Sequence, residues 1–213
     1  MDIVGIVNIS GLRPLHIVWI IMIFEMVAQI IPTKKITMGC LKQFGSKYSP
    51  PEDPYEELEL HKNVQEMNVG ALKVLLSWTI LNSIIGVTYL LDIIGVTELI
   101  LITMFYYVSD LICVTIWCPF QSFIMKNRCC VNCRIFNWGN FMILTPMVFI
   151  RSFFSWSLFF ISIIALISWE LKILKYPERF WHGSNTSLRC SHCNDNICQI
   201  KNTLLFNKEN ELG

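Results

Sequence analysis

The chain has 213 residues, of which 54% are hydrophobic and only 15% charged, and its mean hydropathy is +0.50. Ordinary globular proteins carry roughly 25% charged residues, so this composition argues against a soluble domain. The net charge of +1 gives no electrostatic case for nucleic acid or for a strongly acidic partner.

The distribution of charge is sharper than its average. No charged residue occurs in 75–91 or 152–169, and Asp110 alone interrupts 99–125. About 18 apolar residues in a helix cross the roughly 30 Å of hydrocarbon in a bilayer. The sequence therefore predicts an all-α, integral membrane helical bundle of about four transmembrane helices. An amphipathic surface helix and a cysteine-bearing connector and tail complete it. The bilayer is the expected partner, alongside a second copy of the chain or another membrane protein.

The first predicted span covers 14–31. Pro14 suits a helix start, and Pro32 with Lys34 and Lys35 marks the exit. The segment before it has no basic n-region and no evident small-residue cleavage site, so this span is expected to be retained. A polar segment, 33–69, follows. From Pro54 its apolar residues Tyr55, Leu58, Leu60, Val64 and Met67 fall three and four apart among glutamates. That spacing predicts a surface helix, which can run on into the next span.

The second and third spans are expected at 72–91 and 96–117, with Asp92, Gly95 and Glu98 forming a short turn that makes them antiparallel neighbours. Ser77, Ser83 and Gly86 offer small residues for close helix contact. A connector, 118–140, comes next. The apolar run 141–169 is about 43 Å long as a helix, too long for one perpendicular crossing, and Pro146 and Arg151 divide it. The simplest expectation is an interfacial or half-inserted piece up to Arg151 and a fourth span at 152–169. The transmembrane domain then covers 1–171 and a polar tail covers 172–213.

Charge counting tests this arrangement. Four spans with the N-terminus outside put nine basic residues in cytoplasmic loops and seven outside, a weak bias. If 135–169 crossed twice, the tail would lie inside and the cytoplasmic count would be fifteen. Against that alternative, each pass would have only about 16 to 18 residues, below the usual length, and 149–153 has no Gly or Pro to turn on.

Six of the nine cysteines cluster, as Cys129, Cys130 and Cys133 in the connector and Cys190, Cys193 and Cys198 in the tail. Two C-x-x-C pairs, Cys130/Cys133 and Cys190/Cys193, have the spacing that lets two thiolates face one ion. Lys126, Arg128, Arg134 and Arg189 would favour the thiolates. The chemistry points to a structural metal, zinc ahead of an iron–sulfur centre, with a redox dithiol or disulfides as the alternative. A single crossing between the groups would set them on opposite faces and forbid a shared ion. His192 lies beside the tail group.

Glu25, Asp110 and Arg151 fall inside apolar runs, where a charge costs about 2.5–3.5 kcal/mol at the bilayer centre. Two readings compete for them. One is a polar pathway for an ion or solute, as in a small transporter. The other is a structural ion pair with Arg151 facing Asp110 or Glu25. No phosphate loop, H-E-x-x-H or Ser/His/Asp set is present in the sequence. Asn8-Ile-Ser10 and Asn185-Thr-Ser187 fit the glycosylation pattern. The 176–181 stretch, Tyr-Pro-Glu-Arg-Phe-Trp, reads as an interfacial anchor.

Overall fold

The computed structural model describes residues 14–31, 43, 47–52, 54–127 and 133–189. Five α-helices form the bundle: α1 (Pro14–Ile30), α2 (Glu57–Leu90), α3 (Val96–Thr115), α4 (Gly139–Leu144) and α5 (Phe153–Lys175). There is no strand among the described residues. α2, α3 and α5 are each long and apolar enough to cross a membrane, whereas α1, at 17 residues, is shorter.

The apolar surface of these helices points outward. Only 33% of the most apolar window of α2 is buried, 17% of that of α3 and 28% of that of α5. Leu101, Met104, Phe105, Val108 and Leu111 of α3 are all exposed. In water such continuous apolar surface would drive association; against lipid tails it is at rest. The protein is compatible with a membrane environment on this ground.

α2 joins two predicted elements. The amphipathic stretch beginning near Pro54 and the second span form one continuous helix of 34 residues, about 51 Å long at ~1.5 Å per residue. Ala71, Val74, Trp78, Asn82 and Gly86 fall three and four apart and form its buried stripe, with Gly70 beside it and Leu60 buried ten residues earlier. The turn to α3 falls where the sequence predicts it. Asp92 takes the left-handed conformation (φ 55°), and the Gly95 N–H donates to Glu98 Oε2 at 2.8 Å.

Contacts between helices fix the direction of each element. The start of α1 lies beside the start of α5, with Trp19 Nε1 donating to Ser157 Oγ at 2.9 Å and the His16 ring edge-on to Phe154. The end of α1 lies beside the end of α5, where Lys172 Nζ donates to the Ile30 carbonyl. The two helices are therefore parallel. α3 descends alongside α2, and Tyr106 stacks on Trp78 at 4.6 Å between ring centroids. One end of the bundle thus gathers the start of α2 and the ends of α1, α3 and α5. We call it the polar end. The opposite, distal end holds the α2–α3 turn and residues 150–152.

The segment 134–149, expected as an interfacial or half-inserted piece, is not a single helix. It consists of a 3₁₀ turn (Arg134–Trp138), α4 and a second 3₁₀ turn (Thr145–Phe149). Its start meets α2 at Asn68, through a hydrogen bond from Arg134. Midway, Trp78 Nε1 donates to Thr145 Oγ1 at 3.2 Å. Its end reaches Gly86 and Tyr89, both of which touch Phe149. From Asn68 to Gly86 is about 27 Å of α2, so the segment runs the depth of the bundle.

The reason so short a segment reaches so far is its backbone. A 3₁₀ helix rises about 2.0 Å per residue against 1.5 Å for an α-helix, so a mixed segment covers more depth than length counting allows. Pro146 sits in the first turn of the second 3₁₀ stretch, where its missing N–H does no harm. Thr145 Oγ1 donates back to the Phe141 carbonyl at 2.8 Å. α4 and the turns around it are packed by α2, α3 and α5, with Ile143, Leu144 and Pro146 buried.

Candidate functional site at the polar end

The polar end carries the densest set of buried polar side chains. Arg134 forms an ion pair with Glu170 of α5, and the other Glu170 oxygen accepts from Trp138 Nε1 at 2.9 Å. With the Asn68 contact, three elements are clamped at one level. Beside it lies a cluster of amides. Gln29 Nε2 of α1 donates to the Asn137 carbonyl, Asn140 Nδ2 donates to Gln29 Oε1, and Asn137 Nδ2 donates to Gln43 Oε1. Gln29, Gln43 and Asn137 are buried. The apolar trio Met26, Leu144 and Leu158 closes the bundle below it.

A small cap completes this end. Asn185, with no exposed surface, is its hub. Its Oδ1 accepts from the backbone N–H groups of Ser49 and Ser187 and from Ser187 Oγ, and its Nδ2 donates to the Arg179 carbonyl at 2.9 Å. The backbone N–H of Thr186 donates to the Ser49 carbonyl at 2.9 Å. The carboxamide of the Asn185-Thr-Ser187 pattern is therefore consumed in packing and is not presented as a glycan acceptor. The expected interfacial anchor at 176–181 also turns inward in part. Phe180 packs edge-on to Trp169, Trp181 packs against Tyr55, and the Arg179 guanidinium stacks 3.8 Å over Tyr176.

Of the six clustered cysteines, Cys133 lies within the described residues, and Cys129, Cys130, Cys190, Cys193 and Cys198 lie outside them. Cys133 is 2% exposed, set among Ala71, Val74, Met125, Ile135 and Trp138. Among the described residues no group of three or more His, Cys, Asp or Glu is placed to hold a metal ion. The chain nevertheless enters both cysteine groups from the same end. Cys133 precedes the Arg134 clamp. Arg189, the residue before Cys190, is tied to the cap by its Nε and Nη2, which donate to the His182 and Gly183 carbonyls.

Glu25, Asp110 and Arg151 do not converge. Glu25 is half-buried on α1, one turn from Gln29. Asp110 of α3 sits against Gly139, whose Cβ, if present, would lie 3.2 Å from its Oδ1. Arg151 is exposed at the distal end, outside any helix. Asp110 and Arg151 are thus separated by most of the length of 139–151. The ion pair among the described residues that joins two elements is Arg134–Glu170, a partnership hidden from a search of apolar runs because both residues flank them. The amide cluster left no local signal, since its members are spread from position 29 to position 140.

The sequence matches no protein-family model, and no curated protein and no solved structure matches it. Fold and surface define the class: an all-helical protein with three helices long and apolar enough to span a membrane.

Proposed function

We propose that this chain is a polytopic membrane protein that crosses the bilayer five times, with its polar end in the cytoplasm. The observation that carries this reading is the path of 134–149 along α2 from Asn68 to Gly86 and the return of α5 to the Arg134–Glu170 pair. Five traverses place the segments 32–56, 116–133 and 176–213 together. Ten of the seventeen basic residues lie in these segments and five more, Lys62, Lys73, Arg134, Lys172 and Lys175, toward the same end of the helices, leaving Arg13 and Arg151 on the other side. Basic residues near span ends are retained in the cytoplasm, so this bias orients the protein.

Tags at the two termini test the arrangement in intact cells. An N-terminal tag should be digested by external protease, and a C-terminal tag only after permeabilisation. Equal accessibility of both tags would return the protein to an even number of crossings.

A second reading concerns the cysteines. Both groups depart from the polar end, which supports one shared structural site built on Cys130, Cys133, Cys190 and Cys193, with Cys129 and Cys198 close in sequence. A cytoplasmic location disfavours disulfides, and four thiolates suit zinc at about 2.3 Å. In this reading the protein is an accessory membrane component and the metal closes the bundle. Purified protein should carry one zinc per chain and be colourless. Iron with visible absorbance would turn the reading toward electron transfer, and metal-free protein with six freely alkylated thiols would abolish the site.

A further inference from the structure

We infer that the polar end bears a cationic collar that binds the headgroups of an anionic phospholipid leaflet. This rests on the membrane reading above and not on which side the polar end faces. The collar consists of Lys73 on α2, Lys126 beyond α3, and Lys172, Lys175 and Arg179 at the end of α5.

Their levels follow from the helix contacts. Lys126 follows Met125, which touches Gly70, three residues from Lys73. Lys172 lies two residues beyond Glu170, whose partner Arg134 meets Asn68. At about 1.5 Å per residue, Lys73, Lys126, Lys172 and Lys175 occupy a band roughly 15 Å deep. They come from three elements of the bundle.

Each cation stands at the edge of exposed apolar surface. Lys73 lies between Leu72 and Leu76, Lys126 follows Phe123, and Lys175 follows Leu171 and Leu174, all exposed. Lys172 is held over the Trp169 ring at 4.8 Å and Arg179 over Tyr176. Apolar stems beside lipid tails with charged heads gathered in one band fit a bilayer interface.

Glu66 lies within this band, whereas other acidic residues stand farther out. Glu52, Glu56, Glu57 and Glu59 are exposed, and Glu57 lies about 24 Å beyond Lys73 along α2. Attraction to an anionic leaflet at the collar and repulsion from it at the outer helix would hold α2 upright. At the distal end, the described charges are Asp92, Glu98 and Arg151, which give no comparable band.

The test compares thermal unfolding of the full chain in nanodiscs of phosphatidylcholine alone and of phosphatidylcholine mixed with phosphatidylserine. A Lys or Arg at an anionic surface is worth about 1 kcal/mol, so the mixed discs should raise Tm by about 5 °C. Added salt should erase the rise. The variant K73Q/K126Q/K175Q should lose most of it, while K62Q, on the outer part of α2, should keep it. Should the triple variant fail to fold, native mass spectrometry of the unaltered chain from mixed micelles should still show phosphatidylserine retained over phosphatidylcholine. Equal Tm in both discs, or no lipid preference on release, overturns the collar. Both leaflets of a nanodisc are identical, so this result is independent of the tag experiment.

Discussion

Replacing Glu170 with leucine is expected to lower Tm of the detergent-solubilised protein by about 5–10 °C, equivalent to roughly 2–3 kcal/mol. Glu170 is the acceptor for both Arg134 and Trp138 Nε1. Its loss strands a guanidinium that is largely buried and an indole N–H with no other partner of its own at that level. Removing one member of a buried pair is costly because the other charge remains. E170Q keeps an acceptor for Trp138 and should fall between the two. The double variant R134L/E170L should recover much of the loss, because two apolar groups of similar volume replace the pair. A change below about 2 °C for E170L, smaller than one typical hydrogen bond is worth, would mean that the clamp does not hold the broken segment to α5.

The second large effect is expected at Gly86. A Cβ there would stand 2.4 Å from Phe149 Cζ and 2.6 Å from its Cε1. Glycine to alanine inside a helix ordinarily gains about 1 kcal/mol. Here the sign should reverse, because overpacking costs about 1–3 kcal/mol. Thermal unfolding of G86A should therefore show a loss of Tm, and G86L a larger one. Combining G86A with F149A should restore the ordinary gain relative to F149A alone. This contact marks the far end of the 134–149 traverse, so a stabilised G86A would remove the support for a fifth crossing.

The sequence made the apolar helices legible because lipid-facing surface leaves long uncharged runs. The start of α1 at Pro14, the Asp92–Gly95 turn and the continuity of the 54–69 helix with the second span all follow from local residues. Of the three small residues expected at helix contacts, Gly86 meets Phe149, while Ser77 and Ser83 are exposed. The path of 134–149 was not legible. Its reach depends on 3₁₀ rise, and its polar residues Arg134, Asn137, Asn140 and Thr145 find partners on α1, α2, α5 and at Gln43. Neither property appears in a hydropathy window. Reasoning from charge alone draws attention to Arg151, which is exposed, and assigns Arg134 to the cysteine group and not to its Glu170 clamp. The asparagine at 185 fits a surface pattern by sequence and is a buried hub in the fold, since a pattern of three residues carries no information on burial.

The broken segment also bears on how the protein is made. A stretch holding Arg134, Asn137 and Asn140 gains too little from lipid to enter the membrane by itself. Its hydrogen-bond partners include Trp78 from early in the chain and Glu170 from late in it. The Arg134–Glu170 pair can therefore close only after position 170 has been made. Assembly thus has a late step, in which the broken segment is fixed against helices made before and after it.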